Sequence, residues 1–223
     1  MEYRYYEIPA GSPVLALLGD KWVQNYGRDI DYLHFHNHLE VGFCYYGEGT
    51  VTFKEDIPFD GNMFTVIPKN FPHTTTSAGD SVSYWEWLFI DADKFLREVY
   101  KVNPRMAQKV LDRVNRRAHF VRVQDKPQIG ALVQQIIGCM RERKEFYLEE
   151  VKGLTLALLL QVARWNREEA EKTEFEAGNS SLITPAIDYI SECCDRPIKV
   201  EELAAMCHIS ETHLRRVFHD CMQ

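Results

Sequence analysis

Two hydrophobic periods divide the chain. Up to about residue 92, apolar positions alternate or run in short blocks between turn residues, and residues 40–46, 50–54, 63–67 and 81–90 read as strands. Gly47-Glu48-Gly49, Gly61-Asn62 and Ser77-Ala78-Gly79-Asp80 punctuate them, and short strands at this spacing predict a β sandwich or barrel. From about Asp93 the period becomes helical. Leu148, Val151, Leu154, Leu158 and Val162 form one apolar stripe, while Glu149, Glu150, Lys152 and Arg164 keep that helix soluble. Such a stripe is usually core, here packing on the β region. Residues 171–182 (EKTEFEAGNSSL) are polar and contain Gly-Asn-Ser-Ser, which predicts a flexible linker.

The last forty or so residues pattern as three short helices. Thr184 is a good N-cap and Pro185 a good first helical residue. Ile183, Ile187, Ile190 and Cys194 share one face, and Pro197 ends that helix. A second helix from Glu201 to Cys207 turns Leu203, Ala204 and Cys207 inward. His208 and Ile209 make a turn, and Ser210 is placed to cap the third helix. There Leu214, Val217, Phe218 and Cys221 form the inner face, with Thr212, Arg215, Arg216 and His219 opposite. Adjacent arginines on an exposed helix suit phosphate contact and guanine readout, worth about 1–3 kcal/mol per good base contact. A plain helical bundle with a solvated face would show the same spacing. The segment is also net acidic, since Arg196, Lys199, Arg215 and Arg216 are outnumbered by Asp188, Glu192, Asp195, Glu201, Glu202, Glu211 and Asp220. One such module should attract DNA weakly.

The run ITPAIDYISECCDRPIKVEELAAMCHISETHLRRVF resembles the first helix-turn-helix of AraC-type transcription regulators. The resemblance lies in Pro-Ile before Val-Glu-Glu-Leu-Ala, the His-Ile-Ser turn, and Leu-Arg-Arg-Val-Phe, in that order. It implies a ligand-responsive, DNA-binding regulator, homodimeric, with Ser210, Thr212, Arg215 and Arg216 at the double-stranded DNA. Such proteins carry two of these motifs joined by a helix. No second motif follows Gln223, so the expectation is a chain ending after the first.

The β region holds a histidine constellation. Read as one strand, residues 34–40 put His34, His36, His38 and Glu40 on one face, and His73 follows Phe71-Pro72. Histidines with a carboxylate suit a divalent metal of borderline hardness, whereas a merely wet strand face would explain the histidines singly. His-x-His-x-x-x-Glu with Gly47, and Gly61 with Pro68-Lys69-Asn70-Phe71-Pro72-His73, resemble the two cupin motifs. By that resemblance His34, His36, Glu40 and His73 fall at the ligand positions for a metal such as Zn, Ni, Fe or Mn, while His38 has no counterpart. There are departures. Gly27 lies one residue too far from His34, Asn70 replaces a glycine, and Ser77 stands where asparagine is frequent. Of these, Asn tolerates positive φ better than most residues. Many AraC-type regulators keep such histidines in an effector-binding barrel without metal, so the same four residues are candidate effector contacts.

The expected fold class is α+β. It comprises a cupin-like β-barrel (jelly roll) over residues 1–92, helices over 93–170, the linker at 171–182 and a helix-turn-helix over 183–223. In Tyr84-Trp85-Glu86-Trp87, aromatic faces beside an acceptor suit a sugar, which makes Trp85 and Glu86 candidate effector contacts and the effector a carbohydrate. At least one of the two tryptophans is expected in the core. The rival reading is a metal-dependent cupin isomerase or dioxygenase using His34, His36, Glu40 and His73. The helix-turn-helix resemblance argues against it, because a catalyst has no need of that appendage.

Composition trims the alternatives. A net charge of −7 excludes a basic nucleic-acid coat and offers nothing to an anionic membrane surface. The start, MEYRYYEIPAG, has no basic segment before an apolar core, and the longest apolar run, at 154–160, is too short to span a bilayer. The six cysteines form no Cys-x-x-Cys pair and behave as small hydrophobes, consistent with the cytoplasm.

Overall fold

In the computed structural model, residues 1–28, 32–172, 180–193 and 197–222 are described. The chain forms two compact units, Glu2–Thr173 and Glu174–Gln223.

Ten strands open the first unit: β1 (Glu2–Arg4), β2 (Leu15–Leu17), β3 (Val23–Gln24), β4 (His34–His36), β5 (Leu39–Tyr46), β6 (Gly49–Thr52), β7 (Asp56–Phe59), β8 (Met63–Val66), β9 (Thr74–Ser77) and β10 (Ser83–Ile90). Helices α1 (Ala92–Val99) and α2 (Pro104–Val114) follow, then β11 (His119–Arg122), α3 (Pro127–Glu142) and α4 (Tyr147–Lys172). One wall is a sheet in the order β11-β8-β5-β10-β2, with β3 also on β10. The other wall is β7-β6-β9, while the parallel pair β1-β4 joins β9 through a bridge between His34 and His73. The architecture is α+β.

Strand alternation explains the layers. On β5, Leu39, Val41 and Phe43 join the core beneath the helices, with Phe64, Val66, Leu88 and Ile90 from neighbouring strands. Val133, Ile136, Val151, Leu158 and Val162 of α3 and α4 complete it, so the stripe on α4 is core. Between the walls lies a second cluster in which Cys44, Trp85, Trp87, Phe89 and Phe120 meet Val51 and Phe59. Gly42 makes room there: a Cβ on it would clash with the Trp87 ring. The helices start where polar caps allow. Asp91 accepts from the Lys94 N–H at 3.0 Å, and Asn103, ahead of Pro104, accepts from the Met106 N–H at 3.2 Å.

The sequence reading needs three corrections here. Residues 93–170 are not purely helical, because His-Phe-Val-Arg at 119–122 pairs with β8 and extends the large sheet. The expected linker is shorter. Helix α4 runs to Lys172 and α5 (Ser180–Glu192) begins at Ser180, so only 173–179, which lie outside the described residues, remain between them. Pro185 therefore sits inside α5 rather than at its start. Its missing N–H removes the bond to the carbonyl four residues back.

In the second unit α5 packs with α6 (Val200–Met206) and α7 (Glu211–Met222). Ile183, Ile187, Leu203, Ala204, Cys207, Leu214 and Val217 are buried as predicted. Cys194 and the side chain of Cys221 lie outside the described residues. His208 turns the chain with φ 53°, and Ser210 Oγ caps α7 by accepting from the His213 N–H at 3.2 Å. Cys44, Cys139, Cys193 and Cys207 carry thiols, not disulfides. Among the described residues no helix is long and apolar enough to cross a membrane.

Candidate functional site

Four of the predicted residues converge. One donor atom each from His34, His36, Glu40 and His73 lies within 4.8 Å of the others, and all four side chains are buried. The backbone holds them in place. His34 and His73 exchange N–H···O bonds of 2.9 Å, and so do Glu40 and Ile67 at 2.9 and 2.8 Å. The Asn70 N–H reaches the His36 carbonyl at 2.8 Å. Asn70 adopts φ 59°, so asparagine does take the left-handed conformation that the usual glycine would supply.

His38 does not join them. The expected continuous strand breaks at Asn37-His38, where the Asn37 side chain accepts from the Tyr6 N–H at 3.0 Å and donates to the Tyr6 carbonyl at 2.9 Å. The bend has a use, since it presents the His38 carbonyl 2.8 Å from His36 Nδ1. His73 Nδ1 likewise lies 2.9 Å from the Phe71 carbonyl. A carbonyl only accepts, so each Nδ1 carries a proton and each Nε2 faces the cluster.

The resulting electrostatics are unbalanced. His36 Nε2 stands 3.0 Å from one Glu40 oxygen and His73 Nε2 stands 3.4 Å from the other. Yet both Nε2 atoms, Glu40 Oε1 and His34 Nδ1 are buried without a hydrogen-bond partner. The short distances therefore mark convergence, not satisfied hydrogen bonds. Burial raises the Glu40 carboxyl, but the facing His73 and His36 outweigh it and keep the group ionised. Burial, reinforced by His73 and opposed by Glu40, lowers His34 to about 2, so it is neutral. A buried carboxylate is stable only beside positive charge, and a cation held among these donors would supply it. Nitrogen and oxygen donors, two of the imidazoles oriented by backbone carbonyls, fit a divalent metal.

His34, Glu40 and His73 also border a cavity of about 350 Å³ between the walls. Trp22, Tyr26, Trp87 and Phe89 supply its apolar surface, Gln24, Asn25 and Thr75 its neutral polar groups, and Arg4 and Arg28 its cations.

Trp85 and Glu86 do not border it, which corrects their assignment to the effector pocket. Trp85 is fully buried and stacks on Trp87 with centroids 5.0 Å apart, so it backs the wall instead of forming it. Glu86 is one residue out of phase with Trp87 and projects to the helix side of the sheet. There its carboxylate accepts from the Gly19 N–H at 2.8 Å, Tyr45 at 2.7 Å, Tyr84 at 2.8 Å and Arg141 of α3. Burial raises this carboxyl, but the Arg141 and Tyr45 hydrogen bonds lead the contributions that leave it lowered. The sequence reading missed Trp22, Tyr26, Arg4 and Arg28, which come from segments with no strong period.

On α7, Thr212, Arg215 and Arg216 are exposed, opposite buried Leu214 and Val217. Arg215 Nη2 lies 3.9 Å from Glu211, and Ser210 is committed to its cap.

No protein-family model matches the chain, and no curated protein matches it in sequence. Solved structures do. ToxT from Vibrio cholerae O395 aligns with a TM-score of 0.52 at 12% identity, covering 93% of this chain and 73% of that one. The fold is that of an AraC-type regulator. Wild-type ToxT from V. cholerae strain SCE256 with an unsaturated fatty acid bound aligns with a TM-score of 0.50 at 10% identity, over 93% and 72%. The AraC-like transcriptional activator CuxR aligns at 0.41 with 14% identity, over 82% and 61%.

Proposed function

We propose that this chain is the effector-sensing portion and first helix-turn-helix of a ligand-responsive, DNA-binding transcription regulator. In this reading the barrel cavity takes a small hydroxylated effector of the carbohydrate type. His34, His36, Glu40 and His73 hold a divalent cation against it, and Thr212, Arg215 and Arg216 face the DNA. The observation that carries the reading is the buried set of converging imidazoles and carboxylate opening on an aromatic-walled cavity, in a chain that also presents an arginine pair on a capped, exposed helix. The fold shared with ToxT supports it, and the fatty acid in one ToxT structure is an example of a small ligand in a protein of this fold. The cation, when bound, balances the Glu40 charge and offers a Lewis-acidic contact to the effector. The protein acts as a binder, not a catalyst, in the cytoplasm and as a homodimer.

A thermal-shift panel of sugars and sugar derivatives, run with Zn²⁺, with Mn²⁺ and with chelator, tests the sensor half. Ligand binding raises the apparent stability by mass action, and the gain should vanish with chelator. No response from any panel member contradicts the reading. The DNA half is tested by selecting duplexes from a random library at low salt, where a single acidic module retains its phosphate contacts. A recurrent half-site is expected, and Arg216→Ala should relax it. An unenriched pool contradicts the assignment of α7.

A further inference from the structure

Resting on that reading of the barrel, we infer that the effector is acidic: a small hydroxy-carboxylate, such as a sugar acid, rather than a neutral sugar. The argument comes from the charges on the cavity wall and from what they already serve. Glu40 is the one carboxylate among the described lining residues, and it faces the His36 and His73 imidazoles. Two guanidinium groups line the same space.

Arg4 lies on β1, paired in register with His36 of β4. Its Nε is held by Glu2 at 2.7 Å, with a third of its side chain accessible. Arg4 borders the cavity together with Tyr6 and His34. Arg28 has a looser partner, Asp80 at 3.8 Å, and both side chains are well exposed. With a divalent ion in the cluster, the wall is cationic on two sides of one small volume.

A neutral polyol would bring no further counter-charge to Arg4, to Arg28 or to the cation. A carboxylate answers them, and guanidinium groups bind carboxylates with two parallel hydrogen bonds. A bound cation would be open to ligand oxygens besides the four protein donors, and a carboxylate beside a hydroxyl presents two oxygen donors together. The aromatic wall of Trp22, Tyr26 and Trp87 accepts the C–H faces of the carbon chain, and a cavity of about 350 Å³ limits the ligand to a small molecule.

The test uses matched pairs on the Mn²⁺- or Zn²⁺-loaded chain: galacturonate against galactose, gluconate against sorbitol, and glycolate against ethylene glycol. Titration calorimetry and thermal shift should show the acid of at least one pair binding tenfold or more tighter than its neutral partner. Arg4→Gln and Arg28→Gln should each reduce that ratio, and chelator should abolish binding. Equal or tighter binding of the neutral partners overturns the inference. So does an acid preference that survives both arginine changes, or a cation-loaded chain that binds no acid. A chain that takes up no cation removes the underlying reading as well, which separates the two failures.

Discussion

Two buried carboxylates on neighbouring strands, Glu40 and Glu86, are solved in opposite ways. Glu86 is surrounded by donors: two tyrosine hydroxyls, a backbone N–H and an arginine. Glu40 instead faces two imidazole Nε2 atoms, and one of its oxygens has no hydrogen-bond partner. Burying a charge is costly unless it is paired and hydrogen-bonded. Glu86 meets that condition within the protein and ties loop, sheet and α3 together. Glu40 does not, and a cation held among the cluster's donors is the partner we propose. Burial and residue type are the same at the two positions; only the polarity of the neighbours separates a structural carboxylate from a ligand.

The largest expected difference is in stability. Glu86→Leu leaves two hydroxyls and the Gly19 N–H without their acceptor and should destabilise the chain by about 3 kcal/mol in urea titration, without changing cation affinity. Glu40→Gln should do the reverse: in chelator its stability should equal or exceed that of the parent chain, because it removes an unbalanced buried charge. A large loss of stability for Glu40→Gln in chelator, or a negligible one for Glu86→Leu, would erase the contrast.

A third buried polar group sharpens the comparison through pH. His119 stacks on Trp165 and pairs with the Asn166 side chain, and burial, partly offset by that pair, lowers it to about 4. Its ordinary value is about 6.5, so below that pH the unfolded chain takes up a proton that the folded chain excludes. This contribution is neutral above pH 6.5 and should lower stability by about 3 kcal/mol by pH 4, at 1.36 kcal/mol per unit. His119→Phe should flatten that part of the pH profile. An unchanged slope would show that His119 is not held neutral.

The smallest effect expected is at His38. It shares the even numbering of the cluster histidines, but only its backbone carbonyl serves His36. His38→Ala should leave cation affinity within a factor of about two, and losing its side-chain contact with Asn37 should cost about 1 kcal/mol of stability. A tenfold loss of affinity would place its side chain in the site.

What the sequence revealed follows the same physics. His34, His36, Glu40 and His73 were legible through the resemblance to the two cupin motifs, and the αL tolerance of Asn70 through its residue type, whereas the continuous strand read over residues 34–40 is broken at Asn37-His38. That bend was not legible, because it depends on hydrogen bonds to Tyr6, some thirty residues away in sequence. Glu86 was misplaced by one step of strand parity, which local pattern cannot settle on a strand whose register shifts between Tyr84 and Trp85. The strand at 119–122 was hidden among helices because four residues carry too little period. The helix-turn-helix was the most legible part. Its apolar spacing, turn and cap are all within three or four residues of one another, and the structure reproduces them at Leu203, His208 and Ser210.

The central claim is that the cluster around Glu40 is completed by a cation. Metal analysis of the chain after equilibration with Zn²⁺ or Mn²⁺ and desalting tests it directly, with Glu40→Gln and His73→Ala alongside. One equivalent per chain, with affinity reduced on the order of 100-fold or more in both variants, is the predicted result; this corresponds to about 3 kcal/mol at 1.36 kcal/mol per decade. A folded parent chain that retains no metal, or variants that retain it as well as the parent, would contradict the account.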